Sequence, residues 1–261
     1  MSLESVLRER RDAGRKLLVP YVTGGLGNRW LDVVRAVADA GADAVEVGIP
    51  FSDPVMDGPT IQEASHAALE LGATPQGILD ELNGGDVGAP VAVMTYYNPV
   101  LHAGHERFAA ALAAAGVAGA IVPDLPVDEI DGWATAADAA GVETVLLATP
   151  VTTDERLAVI CERSRGFVYG VSLMGTTGER EALAGQALTM GKRLKEATAA
   201  SGLPALLGVG VSTPEQAVEA CTVADGVIVG SALIRRLLEG GGAEEAAAFV
   251  GEMRHAIDAG A

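Results

Sequence analysis

Aromatic side chains supply only 4% of this 261-residue sequence, so its core must be built from Ala, Val, Leu and Ile, with 33 glycines for tight connections. That is an α/β composition. Basic residues are scarce too: 18 Lys and Arg against 35 Asp and Glu leave a net charge of −17. Nucleic acid and anionic membrane are polyanions and do not suit such a surface, and a small anion would need a local site of backbone N–H groups. Cys161 and Cys221 are too few for a disulfide framework and no Cys-x-x-Cys pair exists, which fits a reducing cytoplasm. Of three lysines, Lys192 and Lys195 fall in a helical pattern and Lys16 precedes the first strand, which argues against a Schiff-base lysine at a strand end. Of His66, His102, His105 and His255, only His102 and His105 are close in sequence; with Glu106 as their one nearby carboxylate they read as surface residues rather than a metal site. Neither cysteine lies beside a histidine, so a Cys-His nucleophile has no local support. No apolar run is long enough to cross a bilayer. MSLESVLRERRDAGRK alternates charge with apolar residues at helical spacing and lacks the apolar core of a secretory signal. It reads as a surface helix, with Arg8, Arg10, Arg11 and Arg15 on a solvated face.

What is present is a repeat. A helical pattern ending in Ala-Gly, followed by a short apolar run, recurs in DAGADAVEVG, AAGVAGAIVPD and AAGVETVLLATP, with a related form in VADGVIVGS. Gly41, Gly116 and Gly141 sit where a helix would end in a left-handed cap before a buried parallel strand. Eight apolar runs qualify as strands, near Leu17–Thr23, Ala44–Gly48, Val91–Thr95, Gly119–Val122, Thr144–Ala148, Phe167–Val171, Ala205–Gly208 and Gly226–Val229. Helical segments separate them and no linker divides the chain. This predicts one domain over residues 1–261, a closed (β/α)8 TIM barrel preceded by an extra N-terminal helix, with an open doubly wound sheet as the alternative.

Strand ends carry the chemistry of such a barrel, and here they hold carboxylates and glycines. Glu46 falls near the end of the second strand with no neighbouring base to pair with it, and Val, Ile and Phe around it would raise its pKa, as suits a group that both gives and takes a proton. The structural alternative is a salt-bridged or outward-facing side chain. Asp53 and Asp57 lie in the loop that follows, between prolines, where either can form a turn or face the site. Asp124 in IVPDLP is a loop organiser or part of the site. Gly208 and Gly210 end the seventh strand, and Gly230 and Ser231 end the eighth, each before a helix start. Close backbone approach and unpaired N–H groups there predict a phosphate site. GTTG, Gly175 to Gly178, is either a third contributor or a loop tip.

In order along the chain, VEVGIPFSDPVMDGPTIQ, MTYYNPV, IVPDLP, FVYGVS followed by GTTG, GVGVSTPEQA and ADGVIVGSAL resemble the motifs of the tryptophan synthase α subunit family. The resemblance implies a (β/α)8 barrel that splits indole-3-glycerol phosphate into indole and glyceraldehyde 3-phosphate. It implies no cofactor in this chain, and a β subunit carrying pyridoxal phosphate as partner in an α2β2 complex. Carried over by position, it makes Glu46 the general acid–base and Asp57 the carboxylate facing the indole N–H. Tyr21, Tyr96 and Tyr169 become pocket-wall residues, and Thr177, Gly178, Gly210, Gly230 and Ser231 substrate- and phosphate-binding ones. Asp53 then belongs to a mobile loop facing the partner.

The sequence departs from that pattern in four places. GGLGN follows the first strand in place of Gly-Asp-Pro or Gly-Tyr-Pro, and Val209 stands where many members carry Phe. Leu173 and Met174 precede GTTG where polar residues are common, and EREALAGQAL follows it without Leu-Pro. Three further readings remain open from sequence: a stand-alone lyase releasing indole, a sugar-phosphate isomerase or epimerase, and a noncatalytic activator of a β-like subunit.

Overall fold

The computed structural model describes residues 2–83, 85–171 and 180–260. Eight parallel strands close on themselves in chain order: β1 (Leu17–Thr23), β2 (Val45–Gly48), β3 (Val91–Met94), β4 (Gly119–Ile121), β5 (Glu143–Ala148), β6 (Val168–Val171), β7 (Ala205–Gly208) and β8 (Gly226–Val229). The ring is completed where Leu17–Pro20 of β1 register against Gly226–Val229 of β8. The eight expected strands are therefore all present within about one residue of their expected ends, and the open sheet is excluded. The helices are α1 (Leu3–Asp12), α2 (Trp30–Asp39), α3 (Pro59–Glu70), α4 (Pro75–Asn83), α5 (Tyr97–Ala103) and α6 (His105–Ala114), then α7 (Asp131–Ala140), α8 (Asp154–Arg163), α9 (Arg180–Thr198), α10 (Pro214–Cys221), α11 (Ser231–Leu238) and α12 (Ala243–Gly260). No described helix is long and apolar enough to cross a membrane.

The joins follow the repeat. Gly41, Gly116 and Gly141 all have positive φ (105°, 72° and 74°) just past the ends of α2, α6 and α7, the conformation that lets each chain turn into the next strand. Alternation along each strand then sorts two apolar layers. Leu18, Val22, Val45, Val47, Val93, Leu146, Val168, Leu207 and Val227 pack outward against the helices, whereas Leu17, Val19, Ala44, Ala92, Val145, Phe167, Leu206 and Ile228 fill the barrel.

The expectation of a solvated N-terminal helix is corrected. Leu3 and Leu7 of α1 are fully buried in the inner layer, so α1 plugs the floor of the barrel, at the N-terminal ends of the strands. Its arginines are engaged. Arg8 and Arg11 donate to the carbonyls of Ser201 and Gly202, while Arg10 and, just past the helix, Arg15 pair with Asp43 at 2.9 and 2.8 Å. Asp43 is fully buried and also accepts from Leu18 N (2.8 Å) and Arg254 of α12 (3.3 Å), tying the plug, β1 and the last helix to one carboxylate. The helical periodicity was legible; the partners lie too far along the chain for local pattern to reveal them.

Candidate active site

At the other end of the barrel the inner face of β2 presents Ala44, Glu46 and Gly48, since Val45 and Val47 face outward. Glu46 is 0% exposed, and neither carboxylate oxygen has a hydrogen-bond partner. The salt-bridged alternative is thereby excluded. Burial, followed by repulsion from Asp57, pushes the Glu46 carboxyl from its ordinary 4.5 up to about 8. A buried carboxylic acid that is protonated at neutral pH and unpaired in the protein is a group held for something else to touch.

Asp57 enters from the loop after β2. Its backbone is fixed by a turn, with Asp57 N donating to Pro54 O (3.0 Å) and Gln62 Nε2 of α3 donating to Asp57 O (2.8 Å). Burial raises its carboxyl to about 6, with the Tyr96 hydroxyl opposing the rise, so that it is an anion at neutral pH. Two carboxyls a short distance apart thus have different protonation states, set by how deeply each is enclosed.

Three tyrosines wall this space. Tyr21 is the register partner of Glu46 across β1 and β2, and its ring leans over Gly48 so closely that a Cβ there would lie 1.9 Å from its hydroxyl. Tyr169 covers Gly208 in the same way, with a hypothetical Cβ only 2.4 Å from the ring. Gly48 and Gly208 are glycines because aromatic rings occupy their side-chain volumes. Burial, reinforced by Asp57 and Glu46, raises the phenol of Tyr21 above the ordinary tyrosine range, and burial followed by Glu46 does the same for Tyr169. Both remain protonated hydrogen-bond donors. Tyr96 is 4% exposed and stacks on Phe51, with centroids 5.1 Å apart.

The two glycine turns differ. Thr213 and Gln216 form a reciprocal capping box at α10, and Gln216 Oε1 also accepts from Ser212 N, so that helix start is satisfied internally. Gly210, with φ 75°, makes the turn before it. At α11 the N-cap is Gly230, which has no side chain to cap with, leaving the first N–H groups of Ser231 and Ala232 for a ligand. A Cβ on Gly230 would sit 3.5 Å from Tyr21 Cβ, so this turn adjoins the tyrosine that spans to Glu46. Glu46, Asp57, Tyr21, Tyr96, Tyr169, Gly210, Gly230 and Ser231 are thus all at the C-terminal mouth; Thr177 and Gly178, with the rest of GTTG, lie outside the described residues. Asp53 is exposed on the β2–α3 loop; its carboxylate accepts from Ser52 Oγ (2.6 Å) and its carbonyl from Val55 N (2.9 Å). Asp124 proves a loop organiser, accepting from Tyr97 N at 2.8 Å at the start of α5.

Sequence reasoning placed a helix start at Ser231 but did not single out Ile61 and Ala64 of α3 or Ile234 of α11, which pack with Tyr21 to close one side of the mouth. The apolar i, i+3 spacing of Ile61 and Ala64, across the end of the long motif, was the available signal. Among the described residues no group of three or more His, Cys, Asp and Glu could hold a metal; His66, His102 and His255 are exposed, and His105 is half-buried against Tyr97, whose hydroxyl lies 3.0 Å from Nε2. A separate cavity of about 870 Å³ opens beside the mouth between the β1–α2 segment, α11 and α12, but neither Glu46 nor Asp57 lines it.

Comparison with known proteins places this arrangement. The family model described as tryptophan synthase alpha chain matches residues 7–258. The chain is 45% identical over 240 residues to the tryptophan synthase alpha chain of Thermobifida fusca, covering 91% of this chain and 89% of that one. With its Streptomyces avermitilis counterpart it shares 41% identity over 266 residues, covering 99% and 95%. Among solved structures it superposes on Mycobacterium tuberculosis tryptophan synthase with a TM-score of 0.88 at 39% identity, over 98% of this chain and 97% of that one. The tryptophan synthase subunit alpha of Legionella pneumophila gives 0.88 at 32% identity, over 99% of each.

Proposed function

The chain belongs to the tryptophan synthase alpha chain family, and from that premise we propose that its barrel mouth cleaves indole-3-glycerol phosphate into indole and glyceraldehyde 3-phosphate by a retro-aldol reaction. The observation that carries this is the Glu46–Asp57 pair, one carboxyl buried, unpartnered and protonated, the other ionised beside it.

Cleaving the bond between indole and its glycerol chain needs an electron sink, and indole has no carbonyl. Protonating ring carbon C3 supplies one, because the ring then holds a C=N bond. Glu46 gives that proton. Asp57, as an anion facing the ring N–H, stabilises the positive charge that forms there. The ionised Glu46 next takes the proton from the hydroxyl on the carbon attached to the ring. That oxygen becomes the aldehyde, the carbon–carbon pair returns to the ring, and Glu46 ends as it began. The open N–H groups at the start of α11, with the Gly210 turn opposite, hold the phosphate and so fix the pose. A positioned acid–base group contributes about 10²–10⁴-fold, and we assign no cofactor to this chain.

The partner is the tryptophan synthase β subunit, which brings the pyridoxal phosphate of the α2β2 complex. Four exposed apolar side chains support a docking face at the mouth: Val55, Met56, Leu101 and Val151 lie in segments that follow β2, β3 and β5, all at the same end of the barrel. Asp53 lies on the first of these segments and faces the partner. We place the reaction in the cytoplasm, where both buried cysteines stay free. The test is a steady-state assay of the purified chain on indole-3-glycerol phosphate with and without a β subunit. Indole release that the β subunit accelerates, and that Glu46→Gln abolishes without loss of glycerol 3-phosphate binding, is the expected result; unchanged turnover in Glu46→Gln overturns the mechanism.

A further inference from the structure

The segment from Ile49 to Gly58 contains no helix or strand, yet it carries Asp57, so something outside the segment has to fix that carboxylate. Gln62 of α3 holds the Asp57 carbonyl from one side (2.8 Å), and the contacts that reach the rest of the tip lead to one residue. Phe51, where the segment begins, stacks on the Tyr96 ring at 5.1 Å and 24°. Met56 N, immediately before Asp57, donates to the Tyr96 hydroxyl at 2.9 Å. The hydroxyl of Tyr96 thus accepts a bond one residue before Asp57, and burial, followed by Asp57, keeps its own proton in place.

Tyr96 is itself well anchored. It is the N-cap residue of α5, and the next N–H, that of Tyr97, is held by Asp124 at 2.8 Å. The segment it holds is not: Val55 is 79% and Met56 48% exposed. An anchored residue at the strand end thus grips an exposed loop whose other ties, the Asp57 N–Pro54 O turn and the Gln62 bond to Asp57 O, hold its backbone only past Met56.

We infer that Tyr96 is a positioning residue for Asp57: its ring holds Phe51 and its hydroxyl oxygen accepts the Met56 N–H, and together these set where the carboxylate of the next residue meets the indole N–H. This goes beyond a pocket wall, and it rests on the cleavage reading above. It also accounts for an aromatic residue with a hydroxyl at the end of β3, where packing alone would accept Phe.

The experiment compares wild type, Tyr96→Phe and Tyr96→Leu by two readouts. Amide exchange at Met56 is independent of activity. Phe keeps the stack and loses the hydroxyl, so exchange at Met56 should quicken by roughly 10-fold or more in Tyr96→Phe while amides of β2 and β3 stay protected. In the cleavage assay kcat should fall about 10- to 100-fold, the cost of misplacing a reacting group. KM and inhibition by glycerol 3-phosphate should stay close to wild type, and the acid limb of the pH profile should move to higher pH, because the Tyr96 hydroxyl holds the Asp57 carboxyl down. Tyr96→Leu should add a loss of fold stability. Unaltered Met56 exchange in Tyr96→Phe overturns the inference whatever the activity, and so does a Tyr96→Phe enzyme with wild-type kcat and pH profile even if Tyr96→Leu fails, since ring packing alone would then suffice. A wild-type chain that cleaves nothing, with Met56 exchange still governed by Tyr96, would sink the cleavage reading and leave the tether standing.

Discussion

Replacing Glu46 with Gln should make the protein more stable than wild type in mild alkali while removing its activity. In the folded protein the carboxyl ionises near pH 8, against an ordinary 4.5. Between those values the native state keeps a proton that the unfolded chain has lost, so stability falls as pH rises through the window. Each pH unit of displacement is worth about 1.4 kcal/mol, which sets a ceiling on the order of 5 kcal/mol for the penalty above pH 8. Water entering the mouth when the group ionises should reduce that to a few kcal/mol. Gln has the size of Glu and no charge, so at pH 5 the two proteins should lose their native state at nearly the same urea concentration. At pH 9 the variant should hold out to a higher one. The assay is urea unfolding of both proteins at pH 5, 7 and 9, followed by the loss of native circular dichroism. A difference that does not grow with pH, or that favours wild type at pH 9, would refute the claim that Glu46 is buried without a partner and protonated at neutral pH.

The same two carboxyls should give a bell-shaped pH dependence of kcat/KM, rising as Asp57 ionises near pH 6 and falling as Glu46 ionises near pH 8; because the groups interact, the measured limbs belong to the pair. Gly230→Val should raise KM strongly with little change in thermal stability, since its Cβ meets only ordinary contact at Tyr21 but its branches crowd the α11 donors; unaltered binding of glycerol 3-phosphate would put the phosphate elsewhere. Asp43→Asn should cost about 3–5 kcal/mol, as breaking a buried ion pair does, with kcat per folded molecule unchanged, because Asp43 serves the barrel floor and not the mouth.

The strands were legible because each is a short apolar run and, β8 apart, each follows a glycine whose positive φ the turn requires, and both signals are local. Glu46 was legible for the opposite reason: a charge inside such a run contradicts its surroundings and asks for an explanation. Gly48 and Gly208 were visible as glycines, but their cause is a ring reaching across from another strand, which no local pattern contains. The grip of Tyr96 on Met56 was hidden because its acceptor role is met by a backbone N–H, and every residue but proline has one. Arg10 and Arg15 were misread for the same kind of reason: their partner, Asp43, is an unremarked residue at a helix-to-strand join.

The plug helix also fixes an order of events. Glu4, Arg8 and Arg11 leave the ribosome well before the groups they bind, Glu143, Ser201 and Gly202, which lie between 139 and 193 positions downstream. At roughly 5–20 residues per second, those acceptors emerge about 7–40 s later. Over that interval Leu3 and Leu7 have no barrel interior to enter. Although α1 is made before every strand of the barrel, it consequently cannot complete its docking until β7 is nearly out, and a nascent chain carries Leu3 and Leu7 as an exposed apolar knob for that long, a place for a chaperone to hold.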